Sequence, residues 1–234
     1  MRKKAVLVVG AGGLGAPAII ALAASGRFTL GLADPERVEL SNLARQIIYG
    51  TRQVGQFKVE AAARYARETL GFRDVRPMNI ALNAANAPEL VAQYDFVIDA
   101  TDDPAVKFLI NDVCLAMGRP FCYGGVLGFR GQAMTIVGGE TACLRCLFEF
   151  PPDQDEVATC REAGIVGSVA GLVGFVQAKE ALYCLRGLRP RLAGKLFAYD
   201  GAGRRAIRIL PVQRREGCAC ASACSASEDV RAGA

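Results

Sequence analysis

The chain has 234 residues, 52% of them hydrophobic, and carries a net charge of +5 from 28 basic and 23 acidic side chains. That length predicts one large domain with or without a small appendage, and so mild a charge argues against nucleic acid as a partner. No histidine is present, which excludes a Ser-His-Asp hydrolase, a Cys-His protease and any histidine-ligated metal.

The basic start, MRKKAVLVVG, runs straight into a glycine loop and reads as a strand, not as a cleavable signal. The apolar run from Ile165 to Ala178 ends at Gln177, Lys179 and Glu180, short of a membrane span. The expectation is a soluble, cytoplasmic chain with no membrane partner. Nine cysteines, an odd number and without a signal peptide, favour metal binding or thiol chemistry over a disulfide framework.

Taken in order, Ala5 to Val9 is an apolar run that reads as a buried parallel strand. It breaks at Gly10-Ala11-Gly12-Gly13-Leu14-Gly15, which satisfies G-x-G-x-x-G. Gly10 permits a tight turn, Gly12 and Gly13 let backbone N–H groups approach phosphates, and Gly15 lets the next helix lie close to the strand. A small-residue helix from Leu14 to Ala24 and a second apolar strand from Phe28 to Ala33 follow, closing on Asp34. An acid at that distance from the loop, about 20 residues on, receives ribose hydroxyls in nucleotide-binding folds, whereas a bare glycine motif marks only a tight turn.

Beyond Asp34, Ser41-Asn42-Leu43-Ala44-Arg45-Gln46 and Lys58 place two cations and two amides near the loop. Such groups neutralise polyphosphate, and their alternative is ordinary solvated surface charge. Gln56 to Leu70 reads as an amphipathic helix, and Val75 to Ile80 as a short third strand. Ala81 to Gln93 has only loose patterning. Phe96 to Asp99 is a fourth strand, ending in Ala100-Thr101-Asp102-Asp103-Pro104. Acids at a strand's carboxyl end suit Mg²⁺ bound together with phosphates, or cap the helix that runs from Ala105 to Met117.

Pro120 to Val126 is a fifth strand and Gly131 to Val137 an antiparallel one, after which the βα rhythm stops. Cys143-Leu144-Arg145-Cys146 is a C-x-x-C knuckle suited to tetrahedral Zn²⁺, with Cys218, Cys220 and Cys224 available as the second pair; alone, it could equally be a redox pair. Residues 148–163 read as a long surface loop carrying Cys160. Gly164 to Arg186 is a long helix whose interior glycines call for close packing on a neighbour. Leu196 to Tyr199 and Ala206 to Leu210 are two last strands, and 221–234 a flexible tail.

The motifs VLVVGAGGLG, the Asp34 strand end, SNLARQ, VGQFKVE, DATDD, CLRC, ATCREAG and GKLFAYD occur in an order and spacing that resembles the ThiF/MoeB/HesA family of sulfur-carrier adenylyltransferases, related to the adenylation domain of ubiquitin-activating enzymes. The resemblance implies an α/β fold: a Rossmann-like, mostly parallel sheet flanked by helices, continuing into antiparallel strands, with a cysteine zinc knuckle. It implies one adenylyltransferase domain over 1–220, with 148–163 crossing over the partner's tail. The implied reaction is ATP-dependent adenylation of the C-terminal Gly-Gly carboxylate of a small ubiquitin-like, ThiS/MoaD-like sulfur carrier by a homodimer.

In that reading Gly10, Gly12, Gly13 and Gly15 carry the phosphates and Asp34 the ribose. Ser41, Asn42, Arg45, Gln46 and Lys58 orient the triphosphate, Asp102 binds Mg²⁺ with Asp103 beside it, and Cys143, Cys146, Cys218 and Cys220 hold zinc. Arg45, Lys58 and Asp102 are the expected catalytic groups. The resemblance gives Cys160 a covalent role in some relatives, set against no chemical role at all. Three departures stand out. Only Arg2, Lys3 and Lys4 precede the first strand, where relatives carry a helix with an R-Y-x-R-Q-like motif. The second cysteine pair is C-x-C, and Asp103 stands where relatives often have Asn.

Two other readings compete. An NAD(P)-dependent oxidoreductase shares the sheet but leaves the cysteines without a role. A catalytically weakened relative acting as a binding protein would keep the fold without the reaction. The dimer expectation rests on the small-residue surface of helix 164–186, whose alternative is burial inside one domain.

Overall fold

The computed structural model describes residues 3–151, 164–203 and 206–220. One eight-stranded sheet, in the order β3-β2-β1-β4-β5-β6-β7-β8, organises all of them. Strands β1 (Ala5–Val9), β2 (Thr29–Ala33), β3 (Val75–Met78), β4 (Phe96–Asp99) and β5 (Phe121–Leu127) are parallel neighbours within that order. β6 (Arg130–Ile136), β7 (Lys195–Asp200) and β8 (Ile207–Pro211) continue the sheet antiparallel. The expected fold class is the one observed.

The helices cover the two faces. On one lie α1 (Gly15–Ala23), α2 (Lys58–Glu68) and α6 (Gly167–Leu185), packed on Val6, Val8, Leu30, Ile98 and Phe197. The other face, with Leu7, Val9, Val97, Phe121 and Met134, meets α3 (Ala87–Ala92), α4 (Pro104–Ala116) and the short α5 (Leu144–Leu147) that carries the cysteine knuckle. Alternate residues of a strand point to opposite faces, so strands buried on both sides read as unbroken apolar runs. α3 lies in the segment that showed only loose patterning, because six residues are too few to display a helical period.

Helix α6 shows how the interior glycines are used. A Cβ at Gly174 would lie 2.3 Å from the Leu14 carbonyl oxygen and 2.7 Å from Pro17, so α6 and α1 touch backbone to backbone. Val169, Ala170, Val173, Ala178 and Ala181 are buried inside this chain. Gly174 is thus covered within one chain, whereas Gly171 keeps open space beside it and Ser168 and Phe175 of the same helix are exposed.

β2 and β4 flank β1 on opposite sides, so the chain reverses its winding there. Such a switch point opens a crevice at the strands' carboxyl ends. Gly10 ends β1 at that crevice and Asp99 ends β4 beside it.

Candidate nucleotide site and cysteine centre

Gly10 has φ +92°, and a Cβ there would sit 2.6 Å from the Ala100 carbonyl oxygen, so both conformation and space require glycine. At Gly15 a Cβ would lie 2.0 Å from the Gly10 oxygen, which lets α1 begin directly against the strand end. The N–H groups of Gly12 and Gly13 donate to no described residue and stand at the amino end of α1. Free N–H groups with an aligned helix dipole form an anion site.

The structure places Asp34 under this loop. Its Oδ2 accepts the Ala11 N–H at 2.7 Å and its Oδ1 the Glu36 N–H at 2.8 Å, and the residue is buried. Burial pushes its carboxyl above the ordinary 3.8, against the pull of the Ala11 hydrogen bond and the Lys58 charge. Its visible work is to hold the loop. Each oxygen keeps a lone pair beyond those bonds.

The SNLARQ segment folds back on the loop. The side chain of Arg45 runs along Gly13, with Cγ and Cδ 3.7 Å from where a Cβ would stand, and its guanidinium donates to Asn42 Oδ1 at 2.8 Å and the Ser41 carbonyl at 3.4 Å. Gln46 is buried with its Nε2 3.5 Å from the Cβ position of Gly12, and its Oε1 has no partner among the described residues. Ser41 and Asn42 lie at the rim, bonded to Glu39 at 3.4 and 3.5 Å. Lys58 is only 3% exposed and pairs with the Glu36 carboxylate. A buried ammonium beside the loop is no ordinary surface charge.

At the end of β4 the two acids divide the work. Asp103 accepts the Ala105 N–H at 2.8 Å and caps α4, with Pro104 in its first turn. Asp102 is exposed and bonds to no described residue. Beneath them Asp99, fully buried, accepts the Thr101 N–H at 3.1 Å, the Thr101 hydroxyl at 2.8 Å and the Lys107 ammonium at 3.1–3.2 Å. Lys107 also donates to the Gly124 carbonyl at 2.6 Å, joining the end of β4 to the middle of β5. Sequence reading missed Asp99 and Lys107 as a pair, since their spacing matches no motif. The available signal was a lysine one turn into an otherwise apolar helix start.

The four cysteines Cys143, Cys146, Cys218 and Cys220 converge, with all sulfurs within 4.8 Å of one another. Sulfur–sulfur separations include 3.9 Å (143–146), 3.6 Å (143–218) and 3.5 Å (146–220). A tetrahedral zinc with Zn–S of about 2.3 Å requires S···S separations of about 3.8 Å, so the cage fits that ion. C-x-C closes it as well as C-x-x-C would.

Against the upward push of burial, hydrogen bonding to the Arg215 N–H helps bring Cys146 down to about 7, toward the thiolate a metal needs. The knuckle is docked on α4. Asn111 Oδ1 accepts the Leu144 N–H at 2.9 Å, and Arg145 grips Asp112 through both oxygens at 2.9 and 2.7 Å. Cys160, most of the 148–163 loop, Cys224 and the 221–234 tail lie outside the described residues. No described helix is long and apolar enough to cross a membrane.

A family model described as the ThiF family matches residues 1–220. Among curated proteins the chain is 41% identical over 203 residues to the adenylyltransferase and sulfurtransferase MOCS3 of Caenorhabditis briggsae, covering 86% of this chain and 50% of that protein. It is 36% identical over 219 residues to the adenylyltransferase and sulfurtransferase UBA4 of Candida albicans, covering 92% and 50%. The chain thus spans about half the length of these relatives. Among solved structures, E. coli MccB with ATP superposes with a TM-score of 0.81 at 19% identity, covering 94% of this chain and 67% of that one. PaaA superposes at 0.72 and 23% identity, covering 91% and 65%. These structural likenesses show the fold.

Proposed function

The chain belongs to the ThiF family, and on that premise we propose that it is an adenylyltransferase acting on the C-terminal carboxylate of a small ubiquitin-like sulfur carrier. The observation that carries the reading is the placement of Gln46 beside Gly12 and of Arg45 along Gly13, whose N–H groups are open, with the buried Lys58 near enough to Asp34 under the loop for its charge to be felt there. The relatives named adenylyltransferase and sulfurtransferase support the same assignment.

In this reading ATP lies with its phosphates over Gly12 and Gly13 and its ribose toward Asp34. A carboxylate oxygen of the carrier's terminal glycine attacks the α-phosphorus. The bond to the bridging oxygen breaks, pyrophosphate leaves with that electron pair, and an acyl-adenylate forms. Arg45 and Lys58 neutralise charge that develops on the phosphate oxygens, and Ser41 and Asn42 fix Arg45. No proton needs to be removed, so a chain without histidine suffices.

Asp102, left open when Asp103 caps α4, would hold Mg²⁺, which when bound neutralises phosphate charge. Cys143, Cys146, Cys218 and Cys220 would hold a structural zinc. Residues 1–220 would act as one unit, with Cys160 dispensable for adenylation itself.

The carrier is expected on the apolar edge of the sheet. There β8 exposes Ile207, Ile209 and Leu210, and the β5–β6 turn exposes Leu127 and Phe129. A homodimer in the cytoplasm completes the proposal. Exposed Leu40, Ile47 and Val54, near the nucleotide segment, offer apolar surface for a second copy. ATP–pyrophosphate exchange that requires a Gly-Gly-ended carrier tests the function, and absence of exchange with every such carrier would overturn it.

A further inference from the structure

We propose that Tyr49 is a positioning residue that sets the distance between the glycine loop and Lys58, so that its hydroxyl governs recognition of the polyphosphate but not of the nucleoside. The inference rests on the nucleotide reading above and extends it to a residue outside every motif of the sequence.

The geometry is specific. Tyr49 is buried, and its hydroxyl lies 2.8 Å from the Ala11 carbonyl oxygen and 3.2 Å from the Lys58 carbonyl oxygen. A phenol has one proton, so it shares that proton between two acceptors 47 positions apart in the chain, or alternates between them. Lys58 is the first residue of α2, and its carbonyl continues the helix ladder. The Ala11 carbonyl has no other donor among the described residues. With Asp34 on its N–H, the Ala11 unit of the loop is held at both its polar groups by side chains from distant segments.

Ala11 directly precedes the two N–H groups that face the anion, and Lys58 supplies the buried cation. A triphosphate must touch both. Adenosine needs neither. Burial and the nearby Asp34 charge raise the Tyr49 hydroxyl well above its ordinary value, so it remains a donor at every physiological pH.

The test is calorimetric titration of ATP, inorganic tripolyphosphate and adenosine into the full chain and into Tyr49→Phe, which keeps the ring and removes the hydroxyl. The expected result is roughly tenfold weaker binding of ATP and of tripolyphosphate, with adenosine unchanged, since the loop carbonyl loses its donor. Ile48→Val trims the adjoining buried side chain without touching the hydroxyl and is expected to leave all three affinities unchanged.

Equal losses for ATP and adenosine, a matching ATP loss in Ile48→Val, or unaltered ATP binding in Tyr49→Phe would each overturn the inference. A wild-type chain that binds adenosine but neither ATP nor tripolyphosphate overturns the nucleotide reading itself. That outcome is distinguishable because it appears before any substitution is made.

Discussion

The Asp34 carboxylate accepts the Ala11 N–H at 2.7 Å across 23 positions of chain, so the acid that closes β2 also fixes the glycine loop that follows β1. Parallel pairing places the two strand ends side by side, with Val9 opposite Ala33. Asp34 has its carboxyl raised above 3.8 in the folded chain by burial. The folded form then holds its proton more tightly than the unfolded one, so stability falls as pH rises from about 4 through the folded value. Asp34→Asn should flatten that slope in guanidinium unfolding measured from pH 4 upward. An unchanged slope would show that Asp34 is not its source.

Lys107 and Asp99 form an ion pair with Asp99 fully buried and the lysine side chain 12% exposed. Removing one partner of such a pair leaves an uncompensated buried charge and costs about 3–5 kcal/mol. Lys107→Met should lose that much in urea unfolding at pH 7, and Lys107→Arg much less, because a cation still reaches Asp99. A loss below about 1 kcal/mol for Lys107→Met would show that water reaches Asp99 and screens it.

One zinc per chain is expected by metal analysis. Cys143→Ser, Cys146→Ser, Cys218→Ser and Cys220→Ser should each lower zinc content and melting temperature, and chelator should lower the wild-type melting temperature, because metal binding adds to folding free energy. Cys114→Ser should retain the metal, since Cys114 lies outside the four-sulfur cluster. Full zinc retention in Cys218→Ser together with Cys220→Ser would remove the proposed cage.

Arg45→Ala, Lys58→Ala and Asp102→Ala should each lower ATP–pyrophosphate exchange by about 10²-fold or more, since each removes a group from the developing charge. Asp103→Ala should behave differently. It caps α4, so about 1 kcal/mol of stability is expected to go, with exchange largely kept. Near-normal exchange in all of the first three would refute the adenylation assignment.

Gly174→Val would force a side chain into the Leu14 carbonyl and Pro17, where backbone cannot yield cheaply. A loss of about 1–3 kcal/mol or more in thermal or urea unfolding is expected from this overpacking. Gly171, with open space around its Cβ position, is the control, and Gly171→Ala should be neutral or slightly stabilising. Equal behaviour of the two variants would contradict the α1–α6 contact.

The sequence by itself determined the strand–glycine loop–strand unit, because unbroken apolar runs and a G-x-G-x-x-G have few physical solutions. It also determined the antiparallel continuation and the knuckle Cys143–Cys146, but it left three tail cysteines for the second pair, and the structure brings Cys218 and Cys220 to the knuckle. What it could not decide was what each polar group touches. Asp102 and Asp103 are adjacent and chemically alike, and only the start of α4 made one a cap and left the other open. Lys58 is an ordinary lysine in the chain and a buried cation once α2 packs on β2. Tyr49 and Lys107 carried no motif, and DATDD did not name a partner for Asp99, because these contacts cross between neighbouring elements and leave no local period. The glycines of α6 were legible as close packing, but the structure assigned the neighbours one by one: α1 and its cap at Gly174, residues 44 and 45 at Gly167, and nothing at Gly171. Helix propensity reports that a contact is tight; only the topology says with what.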